Sequence, residues 1–201
     1  MSRTEVFEAS GPTSATTIRA KIGATNSGEI TAAELWMAYE AGAFPGAPVG
    51  AGASTALAPY DIEHLCVDGF DVVVNKPKVA AYRAPGAPNA SFCVEQLVDE
   101  LARESGVDPL QFRLSNSARE GSRMITGVAH PRIGHEETVQ AVQASDHYQS
   151  PIEGPNRGRG VASGFWFNAG MQSSVIASVN PDGTVNLIEG STDIGLSLIH
   201  I

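Results

Sequence analysis

Residues 79–116 read VAAYRAPGAPNASFCVEQLVDELARESGVDPLQFRLSN, and their pattern sets the architecture for the rest of the chain. A single arginine, Arg83, stands in a loop otherwise built of small and cyclic residues, Ala84-Pro85-Gly86-Ala87-Pro88. From about Asn89 to Ser105, Val94, Leu97, Val98, Leu101 and Ala102 recur at i, i+3, i+4 and i+7, the spacing of one apolar helix face. Gly106 follows where a left-handed C-terminal cap is wanted. Asp108-Pro109-Leu110-Gln111 then restarts a helix, with Asp at the N-cap, Pro at the first helical position and Gln two further on.

Upstream, LCVDGFDVVVNK (65–76) predicts a strand, split at Asp68-Gly69 by a turn or bulge. The stretch 41–59, AGAFPGAPVGAGASTALAP, is uncharged and fits neither the helical nor the strand period. A loop this apolar is expected to pack into a cleft or a subunit contact. Residues 3–8, 16–24 and 30–41 alternate or run apolar in short stretches, with Asn26-Ser27-Gly28 between the last two. That turn predicts a β-hairpin, although ITAAELWMAYEA also has the propensities of a helix. Downstream, 120–133 reads as loop and 136–144 as a short helix. Pro, Gly and charge cluster at SPIEGPNRGRG (150–160), where a domain boundary is expected. Beyond it, SSVIASVNPDGTVNLIEGS alternates about the turn Pro181-Asp182-Gly183, the pattern of a second hairpin.

The 201 residues carry a net charge of −9 and a pI near 4.9, which argues against a nucleic-acid or anionic-membrane partner. No apolar run approaches the roughly 20 residues of a membrane span. The start, MSRTEVFEAS, lacks the features of a signal peptide, so the cytoplasm is the expected compartment. Cys66 and Cys93 are far apart and have no histidine at ligand spacing, so no zinc or iron–sulfur site is expected from this chain, and both read as buried small apolar residues. No nucleophile elbow, P-loop or HExxH occurs. The acidic pairs Asp99-Glu100 and Glu136-Glu137 read as solvated helix faces, and His64, His130, His135 and His147 as loop residues in polar contexts.

What remains is the strand–loop–helix around Arg83. Small loop residues let backbone N–H groups reach a ligand, and the helix behind directs its positive end at the same space. Arg83 adds a cation able to grip an anion bidentately. These features suit a bulky anionic cofactor, for example one bearing a phosphate. They suit equally a tight connection whose arginine makes a structural ion pair.

The same stretch resembles the molybdenum-cofactor-binding large subunit of the xanthine dehydrogenase/aldehyde oxidase family. The matching residues are Tyr82-Arg83, the loop Pro85-Gly86-Ala87-Pro88, Glu95, Asp108-Pro109, Arg113 and Asn116. AKIGATNSGEITAAE and YEAGAFPG are similar to that family as well, as is GVASGFWFNAG through STDIG, so the resemblance runs over residues 2–195. It implies an α+β fold of the molybdopterin-binding type, with mixed sheets and packed helices, here incomplete. It implies a partial first cofactor-binding domain over 1–150 and the start of a second over 151–195. By the same resemblance, Ala81, Tyr82, Arg83 and Gly86 contact or flank a molybdenum-pyranopterin, either molybdopterin or its cytosine dinucleotide form. Gly190, Ser191, Thr192, Asp193 and Gly195 form part of a second cofactor loop. The implied reaction hydroxylates an aldehyde or N-heterocycle with oxygen from water. Electrons leave through iron–sulfur clusters and FAD on partner subunits of a hetero-oligomer.

Three departures bound that expectation. The family's Phe-containing glycine loop is expected upstream of residue 1, and its catalytic glutamate beyond residue 201, so no catalytic residue is assigned and the chain alone is expected to be inactive. After Asp193-Ile194-Gly195 the sequence LSLIHI (196–201) leaves the family pattern and reads as a non-native tail translated from sequencing-adapter DNA. Ala84 stands where CO dehydrogenases carry a copper-binding cysteine. Ala51 and Pro85 stand where xanthine-type enzymes carry an arginine and an aromatic, so neither CO nor purine is the expected substrate. A non-catalytic assembly module docking through 41–59 is the alternative, and a generic phosphate or nucleotide binder a third.

Overall fold

The computed structural model describes residues 2–167 and 172–190. The chain divides into two compact units, Met1–Trp166 and Phe167–Ile201. In the first, β1 (Thr16–Ala24) and β2 (Ile30–Gly42) form the expected antiparallel hairpin, and β3 (His64–Val73) joins β2 in parallel, giving the order β1-β2-β3. Strand wins over helix in β2 because its residues alternate: Leu35, Met37, Tyr39 and Ala41 are buried while the residues between them face outward.

The helices are α1 (Arg3–Ala9), α2 (Val49–Thr55), α3 (Ala87–Glu104), α4 (Pro109–Ser115), α5 (His135–Gln143) and α6 (Asp146–Gln149). The long helix α3 lies against β1 and α2, and its Ala90, Val94, Val98 and Ala102 join Leu35, Met37, Tyr39 and Phe112 in one core. Fully burying each such valine or leucine contributes roughly 1.5–3 kcal/mol. Gly106 adopts the left-handed conformation that ends α3. Asp108 caps α4 as expected, its Oδ1 accepting from the amides of Leu110 and Gln111 at 3.0 Å each. In the second unit β4 (Val175–Val179) and β5 (Val185–Glu189) pair antiparallel around the predicted turn. Ser191, Thr192, Asp193, Gly195 and the tail 196–201 lie outside the described residues.

Several expectations are corrected. Residues 3–9 form a helix, because Ser2 Oγ accepts from the Glu5 amide while the Glu5 carboxylate accepts from Ser2 N, a reciprocal capping box. The irregular stretch 41–59 contains α2, and Gly52 and residues 55–59 are buried within this chain, so that part packs into the chain's own core, whereas residues 43–46, Phe44 among them, are exposed. β3 is not split at Asp68-Gly69: Trp36↔Asp68 and Met37↔Gly69 hold register, and the irregularity falls at Glu40/Gly42. Gly69 answers a packing need, since a Cβ there would lie 2.9 Å from a Val49 methyl. Cys66 is exposed because β3 presents that face to solvent, and Cys93 is half-buried.

Candidate functional site

The loop ahead of α3 is held from behind and open in front. Two hydrogen bonds fix its entry: Val79 N donates to Ala41 O at 3.1 Å and Ala80 N to Pro12 O at 3.0 Å. Ala81, Tyr82 and Arg83 then emerge exposed, Tyr82 to 60%. Arg83 makes no hydrogen bond or ion pair with another described residue. The chain turns back through two left-handed residues, Ala84 (φ 52) and Gly86 (φ 88), closed by Ala87 N donating to Ala84 O at 3.0 Å. The helix α3 begins at Ala87, two residues earlier than its apolar period indicates, because Pro88 sits in its first turn. No side chain caps this end, whereas Ser2, Asp108 and Ser145 cap α1, α4 and α6.

Gly86 is packed as tightly as its conformation is special. A Cβ there would lie 2.2 Å from Pro48 O and 3.0 Å from Gly52 N. Its carbonyl accepts from the Tyr39 hydroxyl at 2.9 Å, and that phenol is fully buried. Burial, reinforced by nearby Cys93, pushes the Tyr39 pKa up to about 12, so it stays a hydrogen-bond donor throughout the physiological range. Burial likewise raises the Cys93 thiol, which makes it an inert side chain. No group of three or more His, Cys, Asp or Glu able to hold a metal ion occurs among the described residues.

Two turns into α3, Glu95 anchors a network that the sequence pattern does not display. Its carboxylate accepts from Arg113 Nε (3.0 Å) and Nη2 (2.8 Å), from Tyr60 Oη (2.5 Å) and from Ser163 N (2.6 Å). Arg113, 1% exposed, also pairs with Asp99 at 2.8 Å and donates to the carbonyls of Pro109 and Val161. Burial alone would lower the Arg113 pKa, but the Tyr60 and Glu95 oxygens outweigh it and the net shift is upward. Burial and the Glu95 charge push Tyr60 well above the usual phenol range. Asn116 ties the other end of α4 to the hairpin, accepting from Ile30 N at 2.7 Å and donating to Gly28 O at 2.8 Å. The residues of the 79–116 pattern therefore divide in two: Tyr82, Arg83 and Gly86 form the loop, while Glu95, Asp108, Arg113 and Asn116 brace what carries it. Asp99, expected on a solvated face, belongs to the brace.

Two histidines also depart from expectation. His130 is buried and pairs through Nε2 with Ala58 O at 3.1 Å. His135 begins α5, its Nε2 2.8 Å from Ser163 Oγ and its ring edge-on to Tyr60. Burial and then the Arg113 charge lower its pKa. With the folded pKa below the unfolded value of about 6.5, protonation favours the unfolded chain, so stability is complete above that pH and declines as pH falls through it. Urea midpoints measured from pH 7.5 to pH 5 should drop, and His135→Gln should flatten the decline. An unchanged profile in that variant would remove His135 as the cause.

Of the expected second loop, Gly190 directly follows β5, in the other compact unit. Residues 1–117 match the molybdopterin cofactor-binding domain family. The chain is 31% identical over 128 residues to the nicotinate dehydrogenase large molybdopterin subunit of Eubacterium barkeri, covering 62% of this chain and 30% of that protein. It is 28% identical over 211 residues to the xanthine dehydrogenase molybdenum-binding subunit of Escherichia coli O157:H7, covering 97% and 28%. The solved aldehyde oxidoreductase of Desulfovibrio desulfuricans superposes with a TM-score of 0.63 at 28% identity, over 69% of this chain and 16% of that one. That of Desulfovibrio gigas superposes at 0.66 and 24%, over 88% and 21%. The chain thus spans less than a third of the curated relatives it matches.

Proposed function

This chain belongs to the molybdopterin cofactor-binding domain family, and on that premise we propose that the loop Ala81–Gly86 holds part of a molybdenum-pyranopterin. The fold is the α+β type of the aldehyde oxidoreductases it superposes on. One observation carries the assignment: Arg83 stands exposed, without a hydrogen-bond or ion-pair partner among the described residues, on a loop whose rear face is fixed by buried contacts. Such a guanidinium grips two oxygens of one anionic group with parallel hydrogen bonds; Gly86, buried against Pro48, sets the turn that presents it, and the start of α3 adds its positive end. Tyr82 offers an aromatic face beside it. Gly190, with Ser191, Thr192, Asp193 and Gly195, forms part of a second cofactor loop in this reading. The nucleotide form, molybdopterin itself or its cytosine dinucleotide, belongs to the proposal.

The bound group would supply the redox chemistry that hydroxylates an aldehyde or N-heterocycle with water as oxygen source. This chain's own residues bind and orient; Arg83 compensates negative charge, and the brace behind α3 keeps it in place. In the complete protein, electrons pass to iron–sulfur and FAD partner subunits of a hetero-oligomer. No helix among the described residues is long and apolar enough to cross a membrane; a cytoplasmic setting remains part of the proposal.

The test is Arg83→Ala in the full-length protein that contains this chain. Two charge-assisted hydrogen bonds, each contributing roughly 1.5–3 kcal/mol, make a tenfold or greater loss of cofactor retention the expected result. Molybdenum by elemental analysis and pterin by fluorescence after release read it directly. Arg83→Lys, which keeps the charge without the fork, should fall between. Undiminished metal and pterin in Arg83→Ala would sink the assignment.

A further inference from the structure

Resting on that cofactor reading, we infer that Tyr39 is a positioning residue for the loop, fixing from the sheet side the turn that presents Arg83. Three elements meet at one point. Tyr39 reaches from β2 to donate to Gly86 O at 2.9 Å. Gly52 of α2 leaves the space, since a Cβ there would lie 2.6 Å from the Tyr39 hydroxyl and 3.1 Å from Gly86 O. The same carbonyl accepts the first helical bond of α3, from Ala90 N, at a long 3.3 Å. The Tyr39 hydrogen bond therefore holds the carbonyl on which the helix begins.

The loop needs such a hold. Ala84, with φ 52, sits where an L-residue costs roughly 1–2 kcal/mol, and such conformations persist only when their surroundings enforce them. Within the turn, Ala87 N donates to Ala84 O; Tyr39 ties Gly86 to the sheet, and one turn on, Asn89 Nδ2 donates to Ser14 O at 3.2 Å, so Tyr39 is the tie made at the turn itself. Tyr39 is wholly buried and has no path to a ligand, so it acts through the loop. Its side chain, one phenol in an alternating apolar strand, is otherwise expected to be core filling.

The experiment compares Tyr39→Phe with Phe112→Leu, a core change in α4, in the full-length protein with its cofactor. Phe112 is equally buried and can be matched for lost thermal stability. Losing one buried hydrogen bond corresponds to roughly a three- to tenfold effect, so pterin release in mild urea should quicken by that factor in Tyr39→Phe alone. Deuterium exchange of the amides of Gly86, Ala87, Asn89 and Ala90 should rise several-fold in the same variant. Release at the parental rate overturns the inference, and so does equal acceleration in Phe112→Leu. A parent protein that purifies without pterin sinks the cofactor reading; exchange at those amides then judges the hold of Tyr39 on the loop separately, and unchanged exchange overturns that too.

Discussion

Replacing Glu95 by glutamine is expected to cost about 3 kcal/mol or more, a large part of the roughly 5–15 kcal/mol that stabilises a domain. The reason is what the carboxylate leaves behind. Arg113 is 1% exposed, and Asp99, the other carboxylate paired with it, is itself partly open to solvent; the carbonyls of Pro109 and Val161 carry no charge to balance it. Removing one partner of a buried pair strands the other charge without hydration. The glutamine amide also offers donors where Arg113, Tyr60 and Ser163 already present donors. Replacing both charges, as in Glu95→Leu with Arg113→Met, is often harmless for an isolated buried pair. Here it orphans the Tyr60 hydroxyl and the Ser163 amide, at roughly 1–3 kcal/mol each. The double variant should therefore stay well below the parent, which separates a network from a simple pair. Urea unfolding reads this through midpoints at constant slope. A Glu95→Gln chain within about 0.5 kcal/mol of the parent would refute the network's importance, since that is the usual range of surface substitutions.

Which parts of this fold were visible beforehand follows from how local their causes are. The hairpin of β1 and β2 was legible because turn and alternation lie in one window of sequence. The α3 stripe and the Asp108 cap were legible for the same reason. The network around Glu95 was not, although Glu95 and Arg113 belong to the matched pattern, because Tyr60 lies 35 residues away and Arg113 lies 18 away. A signal was nonetheless present: Glu95 shares the helix face of Val98 and Ala102, at i+3 and i+7, and a carboxylate on an apolar stripe demands a cation. Arg113, between Phe112 and Leu114, is the answering cation on the next helix. The helix α2 escaped notice because Gly and Ala give it no amphipathic period, and packing against α3 and β3 makes it form. Gly69 misled for the opposite reason: its turn propensity was real, but a Val49 methyl had first claim on the space.

The loop itself was legible as bland, and the structure gives that blandness a cost when it is altered. Gly86→Ala should destabilise the chain by about 3 kcal/mol or more, where Gly106→Ala should cost only about 1–2 kcal/mol. Both glycines are left-handed, with φ 88 and φ 68, so each substitution carries the same backbone penalty. They differ in what a methyl would strike: nothing within 4 Å at Gly106, but Pro48 O at 2.2 Å at Gly86. That carbonyl is backbone and also accepts from Gly52 N, so it cannot step aside without disturbing the first turn of α2. For a chain of this size each kcal/mol lowers the melting temperature by roughly 2–4 °C, which places the two variants several degrees apart. Equal melting temperatures would mean that the close approach of Pro48 relaxes freely. A wide gap, with α2 and the Arg83 loop exchanging deuterium together in Gly86→Ala alone, would establish that the loop is carried by tertiary contact at this glycine rather than by its own turn propensity.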